Sequence, residues 1–333
     1  MSVAAAIPVF CACVAASLVA SLVFGRTLDR VSEGLGASEG LHGILTALGA
    51  DAPEISTAIA ALLASRGDLG VGVVVGSNVF NLAALLGLSA IVAGRVAIHR
   101  HGLLFNGVVA LAVTGIGIAL VLGAIGAVWA TILLLAVFAP YVFLLSSRTV
   151  RLRRVLPEGP VQRFVVAAVR EEIEDLQTGE ATRRGTRGDA VVLVCSLAVI
   201  VGASVGMVDA ATDLGRAWGV ADIVVGTIVL AAVTSLPNLL TAVRLALHGR
   251  GAAVVSEALN SNSLNILAGL AIPALVLSIG SASGIETFAA WWLLGMTVVS
   301  VALAYGGSEL RRREGISIVA LYAVFVAVVV AGN

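Results

Sequence analysis

Two carboxylates, Asp51 and Glu54, stand three residues apart in the run GADAPE, inside a stretch otherwise apolar enough to lie in a lipid bilayer. At that spacing they share one face of a helix. Ionisable side chains at membrane depth are costly and as a rule serve a function. One helix later the run GSNVFN adds Ser77, Asn78 and Asn81. Together these residues offer carboxylate, hydroxyl and amide oxygens with neither thiol nor imidazole, a donor set suited to hard cations such as sodium and calcium. Taken singly, each Ser or Asn also fits the plainer role of a polar contact between helices.

A second stretch, residues 231–265, repeats the first, residues 47–81. An ungapped shift of 184 positions matches Ala47 with Ala231, Pro53 with Pro237, Thr57 with Thr241, Arg66 with Arg250 and Gly67 with Gly251. The same shift matches Ser77 with Ser261, Asn78 with Asn262 and Asn81 with Asn265. The second copy offers Thr234, Ser235, Asn238, Ser261, Asn262 and Asn265 but lacks the acids. Each proline removes a backbone hydrogen bond and clashes with the carbonyl four residues earlier. Carbonyls around residues 47–49 and 231–233, those of Ala47 and Ala231 among them, are therefore candidates to face a ligand; a plain proline kink is the competing account.

The elements that must position these residues are membrane helices. Of 333 residues 59% are hydrophobic and mean hydropathy is +1.06, which excludes an ordinary soluble domain. Apolar stretches of about 20 residues, enough to span, occur near residues 4–25, 37–65, 70–94, 103–122, 126–146, 189–208, 219–247, 252–279, 287–306 and 315–332. The expected fold is an all-α integral membrane protein of ten transmembrane helices. Its domains are a first five-helix repeat (1–146), a cytoplasmic linker (147–188) and a second five-helix repeat (189–333). The first apolar run has no basic segment or small-residue cleavage site before Arg26, so it reads as a retained helix. Cys11, Cys13 and Cys195 have no metal or redox spacing and read as small buried residues.

Cytoplasmic loops carry the excess of positive charge, and every basic residue here is Arg. With the N-terminus outside, alternate loops place all arginines but Arg66 and Arg216 on the inner side. Both termini are then expected outside and the linker inside, in the plasma (inner) membrane. Five helices is an odd number, so the second repeat enters the bilayer inverted relative to the first, an arrangement that puts a transport site where the repeats meet.

Within the linker, Val161, Phe164, Val165, Ala168, Val169, Ile173 and Leu176 recur on one face of an amphipathic helix. It reads as a connector on the bilayer surface; Glu171, Glu172, Glu174 and Asp175 lack the spacing of a calcium loop. Glu257, one turn before Ser261, reads first as a cap of its helix and second as an additional acid facing the pore. His42, His99, His101 and His248 fall near inner or interfacial ends.

The pairs GADAPE with GSNVFN and TSLPN with NSNSLN resemble the two alpha repeats of the calcium/cation antiporter superfamily, most of all its prokaryotic sodium/calcium exchangers. The resemblance implies that the first and sixth helices slide against an eight-helix core and expose a central site to each side in turn. It implies that Glu54, Ser77, Asn81 and the Ala47 carbonyl bind ions in the first repeat, with Ala231, Thr234, Ser235, Ser261 and Asn265 as their counterparts. Two positions depart: Asp51 stands where the pattern has Ser, and Asn238 where it has an acid. Two acids are kept, both now in one repeat. Like charges so close repel, which makes a proton a candidate coupling ion alongside sodium.

The function this implies is secondary active antiport, sodium/calcium exchange through one oxygen-lined site, with proton-coupled cation or sodium/proton exchange as the alternative. The protein is then no enzyme and needs no tightly bound cofactor; its transported ions are Ca2+ and Na+ (or H+). Its surroundings are the lipid bilayer and inorganic cations, with no nucleic acid and no evident protein partner. Readings of another class are an intramembrane hydrolase built on Ser77 or on the acid pair, which would need a His within reach, and a transport-inactive scaffold.

Overall fold

The computed structural model describes residues 1–34, 39–147, 149–176, 187–280, 282 and 284–332. The first part of the chain forms α1 (Val3–Gly34), α2 (Glu39–Leu63), α3 (Gly67–Asn81), α4 (Ser89–Ala93), the strand β1 (Arg95–Ala97), α5 (Arg100–Val121) and α6 (Ala127–Ser146). Two amphipathic pieces follow, α7 (Thr149–Val155) and α8 (Pro160–Leu176). The second part forms α9 (Arg187–Trp218), α10 (Asp222–Val224), α11 (Ala231–Thr234), α12 (Leu236–Leu247), α13 (Gly251–Leu264), α14 (Gly284–Tyr305), β2 (Glu309–Arg311) and α15 (Arg312–Ala331). Among the described residues, seven helices are long and apolar enough to cross a membrane, and the bent rod 222–247 makes up to eight.

Three π-helical stretches join the shorter pieces into rods: Leu82–Leu88 links α3 to α4, Val225–Leu230 links α10 to α11, and Asn265–Ala271 continues α13. Two of them begin at or just after the matching asparagines Asn81 and Asn265. A π turn admits an extra residue and rotates the helix that follows, and such turns gather at functional sites.

The two prolines behave differently. α2 runs unbroken through Pro53, whereas the rod containing Pro237 bends by 47° at Ser235. The cause is local. Thr234 Oγ1 donates back to the carbonyls of Leu230 (2.8 Å) and Ala231 (3.3 Å), a competition with the backbone that bends helices. Pro237 then falls in the first turn of α12, where its missing N–H costs nothing.

α1 and α9 each have 32 residues, roughly 48 Å of helix at 1.5 Å per residue against a hydrocarbon layer of about 30 Å. They are longer than the apolar stretches 4–25 and 189–208 because their polar ends continue as helix beyond the apolar run. The two pack along each other. Ion pairs tie both ends: Arg30 to Asp189 at 3.0 Å, and the amino group of Met1 to Asp213. α3 is by contrast almost wholly buried, at the centre of the molecule. It meets the Val225–Leu230 stretch so closely that a Cβ on Gly76 would lie 2.2 Å from the Thr227 carbonyl oxygen.

The loops sort onto two faces. On one, β1 pairs antiparallel with β2, Arg95 bonds Glu309 at 2.8 Å, Gly251 packs on Ala97, and Glu171 of α8 accepts from the Gly102 N–H at the start of α5. On the other, Arg66 pairs with Asp222 and Gly67 packs on Ile279 and Gly280.

Several expectations need correction. Cys11 and Cys195 are exposed rather than buried, and the otherwise helical fold includes the short pair β1 and β2, which the Gly94 turn at φ +83° lets form across the face. α8 lies against α5, α13 and α2 rather than only on a bilayer surface. Val165, Ala168 and Val169 are buried there, but Val161 is 68% exposed, since the helix contacts the body only beyond its first turn. The side chains of Ile173, Leu176, Glu172, Glu174, Asp175 and His42 lie outside the described residues.

Candidate cation site

α2, α3, α12 and α13 bring their polar residues to one point. α2 supplies Asp51 and Glu54 on a shared face, each 1% exposed. From α12, Asn238 Nδ2 donates to Asp51 Oδ1 at 2.8 Å and to Glu54 Oε1 at 3.0 Å. From α13, Ser261 Oγ donates to Asp51 Oδ1 at 2.6 Å. From the end of α3, Asn81 Nδ2 reaches Ser261 Oγ at 2.9 Å and both Glu54 oxygens at 3.4 and 3.3 Å. Asn265 donates to Glu54 Oε2 and also to Asn78 Oδ1 at 3.1 Å, while Asn78 Nδ2 donates to the Asn262 carbonyl at 3.1 Å. The two copies of the repeat thus meet through their matching asparagines.

The remaining candidates surround this knot. Ser77, Thr234, Ser235 and Asn262 are buried, at 2% exposure or less. Ala47 is buried one turn before Asp51 on α2. Ala231 is also buried, but its carbonyl already accepts from the Ser235 N–H at 3.1 Å and from Thr234 Oγ1, so the bend at Ser235 does not leave it free. Asn262 reaches its neighbours through its backbone carbonyl; its side-chain Oδ1 and Nδ2 have no partner.

Buried side-chain oxygens without a hydrogen-bond partner gather here, among them Asp51 Oδ2, Ser77 Oγ, Asn81 Oδ1, Asn238 Oδ1, Asn262 Oδ1 and Asn265 Oδ1. Buried acceptors are as a rule satisfied. A cluster of unsatisfied oxygens around two carboxylates is what a hard cation of variable coordination number requires. An asparagine amide donates at one end and accepts at the other, so a half-turn about χ2 converts donation to a carboxylate into coordination of a cation.

Other titratable groups have structural surroundings. His101 Nδ1 bonds Glu171 at 2.7 Å, and His99 and His248 flank helix ends. Ser77 Oγ has no hydrogen-bond partner, so among the described residues no base is in place to activate it as a nucleophile. Glu257 is no helix cap: α13 begins at Gly251, which leaves Glu257 nearly two turns inside.

Sequence reasoning missed one contact near the site. Thr57 Oγ1 donates to Ser204 Oγ at 3.0 Å, a fully buried bond joining α2 to α9. Thr57 belongs to the repeat, but Ser204 sits in an apolar run with no pattern to flag it.

Comparison with known proteins finds the chain similar to members of one family. The family profile described as sodium/calcium exchanger protein matches residues 5–147 and 189–331. Among curated relatives, sodium/potassium/calcium exchanger 4 of Mus musculus is 34% identical over 128 residues, covering 36% of this chain and 21% of that protein. Sodium/calcium exchanger MaX1 of Methanosarcina acetivorans is 28% identical over 149 residues, 45% of this chain and 43% of that one. The matches therefore span about a fifth to two-fifths of these relatives' lengths. A solved structure of the sodium-calcium exchanger NCX_Mj, soaked with Na+ and Sr2+, aligns over 98% of both chains with a TM-score of 0.64 at 21% identity, a likeness of fold.

Proposed function

The chain belongs to the sodium/calcium exchanger protein family, and on that premise we propose that it is a secondary active antiporter exchanging sodium for calcium through one central site. The observation that carries the reading is the meeting of Asp51 and Glu54 with asparagines and serines from both repeats, with buried oxygens left over for a cation.

We read the chain as ten spans in two inverted five-helix repeats, residues 1–146 and 189–333, joined by the linker 147–188. α2 and the rod from Gly251 to Ala271 complete the count, since the site residues they carry lower their hydropathy. The sharing of one face by the Arg95, Gly251, Arg311 and α8 segments supports this reading. That face is the cytoplasmic one on the positive-inside rule, and the termini face outward.

The site holds two formal negative charges, which match one divalent ion or two monovalent ions. When a cation enters, Asn81, Asn238 and Asn265 turn their carbonyl oxygens inward and release the carboxylates to which they now donate hydrogen bonds. When it leaves, the amide N–H groups return, so that the carboxylates are not left unpaired at low dielectric. Coupling follows because competing ions use the same ligands and access alternates between faces. The moving body is α1 with α9, tied at both ends by ion pairs and joined to the site helix α2 through the Thr57–Ser204 bond. No chemical step and no ATP are involved.

Everted vesicles loaded with sodium and diluted into labelled calcium test this. Calcium uptake that collapses when the sodium gradient is removed supports the reading. Uptake driven only by a proton gradient replaces sodium by protons, the choice left open by two acids on one helix. Gradient-independent leak, or no flux, contradicts antiport.

A further inference from the structure

Glu257 is the single acid of α13 and is not part of the central knot. It stands four residues before Ser261, so the two share a face of the helix about 6 Å apart along its axis. Ser261 is the hydroxyl that donates to Asp51. Glu257 lies on the Gly251 side of Ser261, towards the arginine-rich face, because Gly251 packs against Ala97 there.

Its side chain is neither fully packed nor freely exposed. Ala253, Glu257 and Asn260 form a partly exposed stripe on α13, while Ser256 and Ala258 beside them are buried. Within that stripe Glu257 Oε2 is shielded from solvent and has no hydrogen-bond donor. A carboxylate oxygen so placed lacks the compensation that buried charge needs. At the matching position of the first copy the residue is Val73, fully buried. The acid is thus present on one side of the central site only.

We propose that Glu257 forms a second, outlying cation site on the path between the arginine-rich face and the Asp51–Glu54 pair. It takes the same hard, oxygen-liganded cations, and the Ser261 hydroxyl lies between it and Asp51 as the hand-over point. The inference rests on the antiport reading and adds an asymmetry to it: cations arriving from one face meet a carboxylate before the central site, and cations from the other meet Val73.

The test is the apparent KM for calcium at each face, measured with full-length protein in everted and right-side-out vesicles. Glu257→Gln is expected to raise KM about 10-fold at the arginine-rich face, about 1.4 kcal/mol, and to leave the other face unchanged, with Glu257→Asp recovering most of the loss. An equal change at both faces, or none, overturns the proposal. A second measurement does not depend on transport. Purified Glu54→Gln protein is expected to keep weak equilibrium binding of labelled calcium that the double variant with Glu257→Gln loses; residual binding unaffected by Glu257→Gln overturns the proposal. Absence of sodium-driven uptake in the unmodified protein, with that residual binding present, contradicts the antiport reading and leaves the Glu257 site standing.

Discussion

Asn238 Nδ2 donates to Asp51 Oδ1 at 2.8 Å, so the two positions at which the sequence departs from the repeat pattern that its resemblance implies are in direct contact. By that resemblance the acid expected on α12 has its substitute on α2, and the hydrogen bond puts the two positions directly across the site from each other. Asp51→Ser alone is therefore expected to lower apparent calcium affinity by roughly 100-fold, about 2.7 kcal/mol. Adding Asn238→Glu should recover most of it. Calcium titration of the three purified proteins checks this, and a double variant no better than Asp51→Ser would refute the exchange of places.

The Thr57–Ser204 bond joins the site helix to α9 at full burial. Losing one such bond costs about 1 kcal/mol, enough to shift the balance between the two access states several-fold. Ser204→Ala and Thr57→Val should each change the exchange rate by that order, and the double variant no more than either. Additive effects would show that the two hydroxyls act separately.

Gly76 has no room for a side chain: a Cβ would lie 2.2 Å from Thr227 O and 2.6 Å from Thr227 Cα. Gly76→Ala should therefore part α3 from the Val225–Leu230 stretch and cost about 1–3 kcal/mol, read as a lower melting temperature in detergent. Gly202→Ala is the control, since no atom lies within 4 Å of a Cβ there. Equal melting of the two variants would contradict the close approach.

Glu171 fastens α8 to the start of α5 by accepting from the Gly102 N–H at 2.8 Å and bonding His101 at 2.7 Å. Glu171→Ala should cost about 1 kcal/mol, as loss of a helix N-terminal acceptor does, while uptake driven by sodium persists. Loss of uptake with unchanged melting would assign the linker a part in transport.

The central site was legible in the sequence because polar residues stand out in apolar runs. Asp51, Glu54, Ser77, Asn81, Asn238, Ser261 and Asn265 each break a hydrophobic stretch, and the 184-residue repeat pairs them. The backbone was less legible. Pro53 and Pro237 look alike, yet only the second sits at a bend, because the Thr234 hydroxyl before it bonds back to the chain where Ala50 has no hydroxyl to do so. The strands β1 and β2 have three residues each and depend on a partner far away in sequence, which no local pattern reports. Glu257 carried an ambiguous signal, and only the start of α13 at Gly251 separates a cap from a group inside the helix.

Sodium-driven calcium uptake by Glu54→Gln, compared with the unmodified protein in the same vesicle preparation, tests the central claim most directly. Glu54 accepts from Asn81, Asn238 and Asn265 at once, and the amide isostere removes its charge while keeping its size. Uptake reduced to the level of empty vesicles, in a variant that still folds, is the expected result. Uptake at the unmodified rate would show that the cation does not pass between these carboxylates.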